Sequence, residues 1–201
     1  MLLFPACQDQ KQPLPYYTEA TFTPIFLEDE KKLEQLIPHQ VGGFQLLNQE
    51  GKLIDQQVVN GKIHVANFFF TSCVSICPRM TENMLIVAEA LQEESDFHIL
   101  SFTVTPWWDS PEKLKSYAKA KQLPLQNWSL LTGKQSEIYR LARTSYFAEE
   151  ELGLTKDSTE FLHTEHFILV DRQKRIRGIY NGTLPLEMKQ LIADAKMLLK
   201  R

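Results

Sequence analysis

Three of the 201 residues are cysteines, and two of them, Cys73 and Cys77, stand four positions apart. A thiolate is a soft ligand and a good nucleophile. Two of them separated by three residues can converge on one soft metal ion or close into a disulfide. The spacing alone leaves both chemistries open, along with the plainer reading of two small buried side chains. Placement narrows the choice. Ile63 to Phe70 (IHVANFFF), just ahead of the pair, is β-branched and aromatic, the pattern of a strand buried on both faces. Pro78, just after it, suits the first position of a helix, where its missing N–H has no partner to lose. Cys77 therefore abuts a helix N-terminus, where orphan N–H groups and the helix dipole favour a thiolate. A strand-to-helix switch is also where α/β sheets place their ligand sites.

The second candidate group is Phe161–Leu162–His163–Thr164–Glu165–His166, ahead of the apolar run Phe167–Val170. If the start of that strand faces the cysteine loop, a histidine there is within reach of a metal held by Cys73 and Cys77. His163 and His166 are three apart and point to opposite faces of an extended chain, so only one easily serves. Two thiolates and an imidazole suit Cu(I), and the same set with an open position suits Zn²⁺. Met80 and Met84 carry thioether sulfur, but they recur with Val87 and Leu91 at helical spacing and are read as core. His39, His64 and His98 have no partner by spacing and are read as structural.

The elements that must position these groups follow from periodicity and turn chemistry. Phe44–Leu47 and Lys52–Ile54 flank Asn48–Gln49–Glu50–Gly51, a hairpin with a glycine-bearing turn. Phe97 to Thr105 is the next strand, and Ser110–Pro111–Glu112 caps a helix reaching about Lys121. Trp128 to Leu131 leads to a Thr132–Gly133 turn and a helical segment from Gln135 to Arg143. Ser145 to Glu160 is polar and acidic and is expected as an exposed loop. His166–Val170, the turn Asp171–Lys174 and Ile176–Tyr180 form a second hairpin, and Leu186 to Leu199 a closing helix. Strands alternating with helices predict an α/β sheet covered on both faces. The last two strands are joined too tightly to be parallel, so the sheet is mixed. Strand, helix, strand, helix, then hairpin and helix is the thioredoxin-like arrangement, here with an N-terminal β-hairpin.

Composition excludes several classes of function. The formal net charge is -3 and no basic stripe occurs, so no nucleic-acid partner is expected. No apolar run approaches the ~18 residues of a membrane span. Residues 1–40 are set apart from the domain expected over 41–201. Met1 to Cys7 is apolar with a small residue before the cysteine, and Gln8 to Pro15 is polar and proline-containing. This looks like the tail of a bacterial lipoprotein leader. It predicts a lipid on Cys7 that tethers an exported domain to the cell envelope, facing the periplasm.

With these residues in view, the chain resembles the Sco/SenC family, thioredoxin-like copper proteins of respiratory oxidase assembly. Cys73–Val74–Ser75–Ile76–Cys77–Pro78 resembles the family's CxxxCP loop, and Asp109–Ser110–Pro111 its motif after the following strand. Leu131–Thr132–Gly133 is similar to its LTG turn. His163–Thr164, eight residues ahead of Asp171, matches its His-Ser/Thr before a strand ending in Asp. The resemblance implies copper as the bound ion, with Cys73, Cys77 and His163 as ligands. It further implies delivery to the copper subunit of an apo cytochrome c oxidase, or to another copper protein. Leu162 stands where the family usually has an acidic residue and Thr105 where it often has Asp; neither is a ligand by the match. Trp107 and Trp108 flank the expected mouth as a docking rim. The alternative is a thiol–disulfide oxidoreductase keeping a partner's cysteines reduced, since the same two thiols can pair. Dithiol thioredoxins, however, use CxxC and place a cis-Pro before the facing strand, and no Pro lies between Phe161 and Val170. A thiol peroxidase needs Thr three residues before its cysteine, and Thr71 is two before Cys73.

Overall fold

The computed structural model describes residues 13–27, 29–148 and 164–200. A short helical turn, α1 (Leu33–Leu36), precedes a hairpin of β1 (Gln45–Asn48) and β2 (Leu53–Asp55). Gly51 sits in its turn at φ +69°, a conformation that costs glycine nothing. The chain then alternates: β3 (Ile63–Phe69), α2 (Cys77–Ala90), β4 (Phe97–Thr103), α3 (Pro111–Ala120), β5 (Trp128–Thr132), α4 (Gln135–Arg140). It closes with β6 (His166–Val170), β7 (Ile176–Asn181) and α5 (Pro185–Leu199). The seven strands form one sheet in the order β2-β1-β5-β4-β3-β6-β7. The three central strands run parallel and the outer pairs antiparallel, so the sheet is mixed, as its sequence predicts.

Alternation along the central strands builds two apolar layers. Ile63, Val65 and Phe69 of β3 face α2, α3 and α5, against Met80, Met84, Leu114 and Leu191. Ala66 and Phe68 face the other way, against Phe102, Ile138 of α4 and Tyr146. Every residue of β3 and β4 is buried, which is why both read as largely apolar runs rather than as strict alternation. Helix α4 is shorter than its periodicity predicts, because Leu141–Ser145 widens into a π-helical turn. The turn lets Leu141, Ala142 and Tyr146 all reach the core. The exposed loop expected from Ser145 onward therefore begins buried: Ser145, Tyr146 and Ala148 are inside, while residues 149–160 lie outside the described residues. Tyr146 stacks obliquely on Phe102 at 5.7 Å, a contact its polar neighbours hide.

Residues ahead of Val41 also pack on the sheet. Tyr17 bridges to Ile176 of β7, and Arg177 donates to the carbonyls of Leu14 and Pro15 at 2.6 and 2.9 Å. Its guanidinium lies 3.7 Å from the centre of the Tyr16 ring. Ile37 is fully buried and its carbonyl accepts from Arg175. Among the described residues, no helix is long and apolar enough to cross a membrane.

The topology sets up one edge. Parallel β3 and β4 both end there, and antiparallel β6, paired Ala66 to Ile168, begins there with His166. The loops after Phe69 and Thr103 and the residues Thr164–Glu165 thus share one side of the sheet.

Candidate metal centre

After β3 the chain turns at once, with the Cys73 N–H donating to the Phe70 carbonyl at 3.3 Å. Cys77 is the first residue of α2, and its N–H donates to Cys73 Sγ at 3.5 Å. No side chain at the N-cap position, Ile76, satisfies the first turn, so the Cys73 sulfur takes that part. Burial pulls the Cys73 thiol upward, but the N–H groups of Cys77, Ser75 and Ile76 and the Cys77 thiol all face its sulfur, and the outcome is a lowered pKa. Cys77 is deeper. Burial pushes its thiol up to about 12, a backbone hydrogen bond from Phe70 offsets this only partly, and the neighbouring Cys73 sulfur adds to the rise. The two sulfurs are unlinked in this structure, one half-exposed and one buried.

A second loop braces the first. Val104 N–H donates to the Phe69 carbonyl at 2.8 Å, extending the β3–β4 pairing by one step, and the chain then folds back on the Thr105 carbonyl. This aims Asp109, fully buried, at the cysteine loop. Its carboxyl accepts the Thr71 N–H at 3.1 Å and the hydroxyls of Thr71, Thr103 and Thr105 at 2.5, 2.5 and 3.0 Å. Next along, Ser110 caps α3 by accepting from Lys113 N–H at 3.3 Å, as the Ser-Pro pattern predicts. Tyr117 of α3 bonds Thr81 at 2.7 Å, whose hydroxyl donates to the Cys77 carbonyl at 2.9 Å. The Tyr117 phenol is held above its ordinary range by burial and then by the nearby sulfurs and Asp109.

The predicted site residues fall into two groups. Cys73 and Cys77 come together at the sheet edge, while His163, Leu162 and Cys7 lie outside the described residues. Among the described residues no three His, Cys, Asp or Glu side chains gather to hold a metal ion. His166 opens β6 with its ring 5.3 Å from that of Phe22, edge to face. Met80 and Met84 are buried in the core, as their helical spacing indicates. Trp107 and Trp108 are 61% and 58% exposed on the bracing loop, with Lys113 Nζ 4.4 Å from the centre of the Trp108 ring, and Val74 beside Cys73 is 95% exposed. Sequence reasoning assigned Asp109 only to a motif. Its bond to Thr71 spans 38 positions and depends on the pairing of β3 with β4, so no local pattern announces it. For a soft cation the donor set fits: two sulfurs, one already surrounded by N–H groups that stabilise the thiolate form.

Comparison with known proteins identifies the family and the fold. A family model described as SCO1/SenC matches residues 34–200. The crystal structure of a SCO1/SenC family lipoprotein from Bacillus anthracis (strain Ames) superposes with a TM-score of 0.69 at 31% identity, covering 80% of this chain and 95% of that one. BsSco, a member of the Sco family of cytochrome c oxidase assembly proteins in which a disulfide switch has been identified, superposes with a TM-score of 0.68 at 32% identity, over 81% and 94% of the two chains. ScoI of Bradyrhizobium japonicum, solved with copper bound, gives a TM-score of 0.63 at 26% identity, over 79% and 99%.

Proposed function

The chain belongs to the SCO1/SenC family, and from that premise we propose that it carries copper as cargo to a cytochrome c oxidase under assembly. Cys73, Cys77 and His163 are the ligands in this reading. The observation that carries it is the thiol pair itself: a half-exposed, N–H-cradled Cys73 beside a buried Cys77 at the mouth of the sheet edge. Two such sulfurs select a soft ion, and exposure of one leaves room for an acceptor's ligands to attack. His163 is one residue ahead of Thr164 in the chain and supplies an imidazole as the third donor in this reading. The likeness to a copper-bound ScoI and to an oxidase assembly protein supports both the ion and the partner. Exposed Trp107, Trp108 and Val74 form the apolar rim that meets the acceptor. A lipid on Cys7 holds the domain at the periplasm-facing side of the envelope; the lipoprotein relative supports that placement.

One observation favours a second reading. A more acidic, accessible thiol next to a less acidic, buried one is the asymmetry of an attacking and a resolving cysteine. As a thiol–disulfide oxidoreductase the pair would give two electrons to a partner disulfide, become the Cys73–Cys77 disulfide, and need an external thiol reductant to turn over. The deciding experiment loads the reduced protein with Cu(I) and follows transfer to an apo copper domain of an oxidase. Transfer by the wild type, lost in His163→Ala, is the expected result. Rapid metal-free reduction of a generic disulfide, equal in wild type and His163→Ala, would assign the oxidoreductase function instead.

A further inference from the structure

We propose that Asp109 is a positioning residue for the cysteine loop, acting through Thr71; this rests on the copper-carrier reading and extends it. The carboxyl is fully buried yet accepts four hydrogen bonds, two of them from the backbone and side chain of Thr71. Thr71 is two residues before Cys73, in the only stretch of chain between the rigid end of β3 and the first sulfur. The other two donors, Thr103 and Thr105, belong to the end of β4 and the loop that follows. Asp109 therefore ties the loop to the end of β4 and the segment after it, in addition to the turn bond from Cys73 N–H to the Phe70 carbonyl. A loop held there keeps the Cys73 sulfur against the Cys77 N–H, 3.5 Å away, at the start of α2. Thr105, which stands where the resembled family often has Asp, takes part as a donor to Asp109. Outer partners that orient ligands in this way commonly set metal affinity as strongly as some ligands do.

Three variants separate positioning from mere stability. Asp109→Asn replaces one acceptor oxygen by a donor, and Thr71→Val removes the hydroxyl contact to the loop while keeping its N–H. Thr105→Val removes a donor to the same carboxyl without touching the cysteine loop. The first readout is the rate of Cys73 alkylation by iodoacetamide in reduced, metal-free protein at fixed pH, with circular dichroism and thermal melting as fold controls. Asp109→Asn and Thr71→Val are expected to slow alkylation several-fold, because the loop no longer holds the sulfur in its place beside the Cys77 N–H. The second readout is Cu(I) affinity, expected to fall on the order of tenfold in the same two variants. Thr105→Val should lower the melting temperature and leave both readouts at the wild-type level. The proposal is overturned if Asp109→Asn and Thr71→Val behave like Thr105→Val, less stable but unchanged in alkylation. Should Asp109→Asn fail to fold, Thr71→Val decides alone. A wild type that holds no copper would end the carrier reading, while the alkylation comparison would still decide the role of Asp109.

Discussion

At the scale of single residues, the two sulfurs are chemically unequal, and in the opposite sense to the sequence expectation: the helix N-terminus favours the Cys73 thiolate, while burial keeps the Cys77 thiol protonated. Cys73 ends in a fan of N–H groups at the start of α2, and Cys77 is folded under it among apolar side chains. The sign of the consequence is fixed. The lowered pKa of Cys73 raises its thiolate fraction near neutral pH, and a Cys77 thiol pushed to about 12 stays protonated there. Limiting iodoacetamide at neutral pH should therefore label Cys73 first and Cys77 far more slowly, as peptide mass spectrometry would show. Equal labelling of the two would contradict this electrostatic description. The pair and its chemistry were legible because a strand end, two cysteines and a proline are contiguous in the chain. The Asp109 brace was not, since Thr71 and Asp109 meet only after two strands pair.

The elements show the same division between local and non-local information. β3 and β4 are readable from their largely apolar, β-branched and aromatic runs, and α3 from Ser110 and Pro111, because burial on two faces and helix capping leave local marks. The π-helical turn at Leu141–Ser145 and the burial of Tyr146 were not, because a core contact in an acidic, polar stretch has no periodicity. Two polar residues inside the central strands carry a further consequence. His64 and His98 are register partners on β3 and β4, side by side and both buried. Burial lowers the His64 pKa to about 3, helped by the charges of His98 and Lys174, and burial lowers that of His98 to about 4, helped by Lys62. The unfolded chain binds protons at both positions below about pH 6.5, where the folded chain does not. Stability is thus whole above that pH. It falls as the pH drops toward the folded values, since each histidine takes up a proton in the unfolded chain that it refuses in the fold. Urea unfolding between pH 7 and pH 4 should show the decline, and His64→Gln, which cannot titrate, should flatten it. An unchanged slope in that variant would remove His64 from the acid sensitivity.

Taken whole, the molecule is a sheet that gathers its chemistry at one edge. Two parallel strands end there and an antiparallel one begins there, and this arrangement converts two distant sequence segments into neighbours. The order of strands and helices makes that fold legible in the sequence, because tight hairpins and alternating elements leave few topologies. It could not show that Tyr17 and Arg177 bind the segment ahead of the hairpin to β7, a docking written in long-range contacts. The central claim is that one copper ion is held by ligands from both segments, Cys73 and Cys77 from one and His163 from the other. The most direct test is a Cu(I) competition titration against a chromophoric chelator, on reduced wild type and on Cys73→Ser, Cys77→Ser, His163→Ala and His166→Ala, with circular dichroism confirming the fold of each. The account predicts one Cu(I) per chain, most of the affinity lost in each of the first three variants, and wild-type binding in His166→Ala. Wild-type binding by His163→Ala, or its loss in His166→Ala alone, would contradict it.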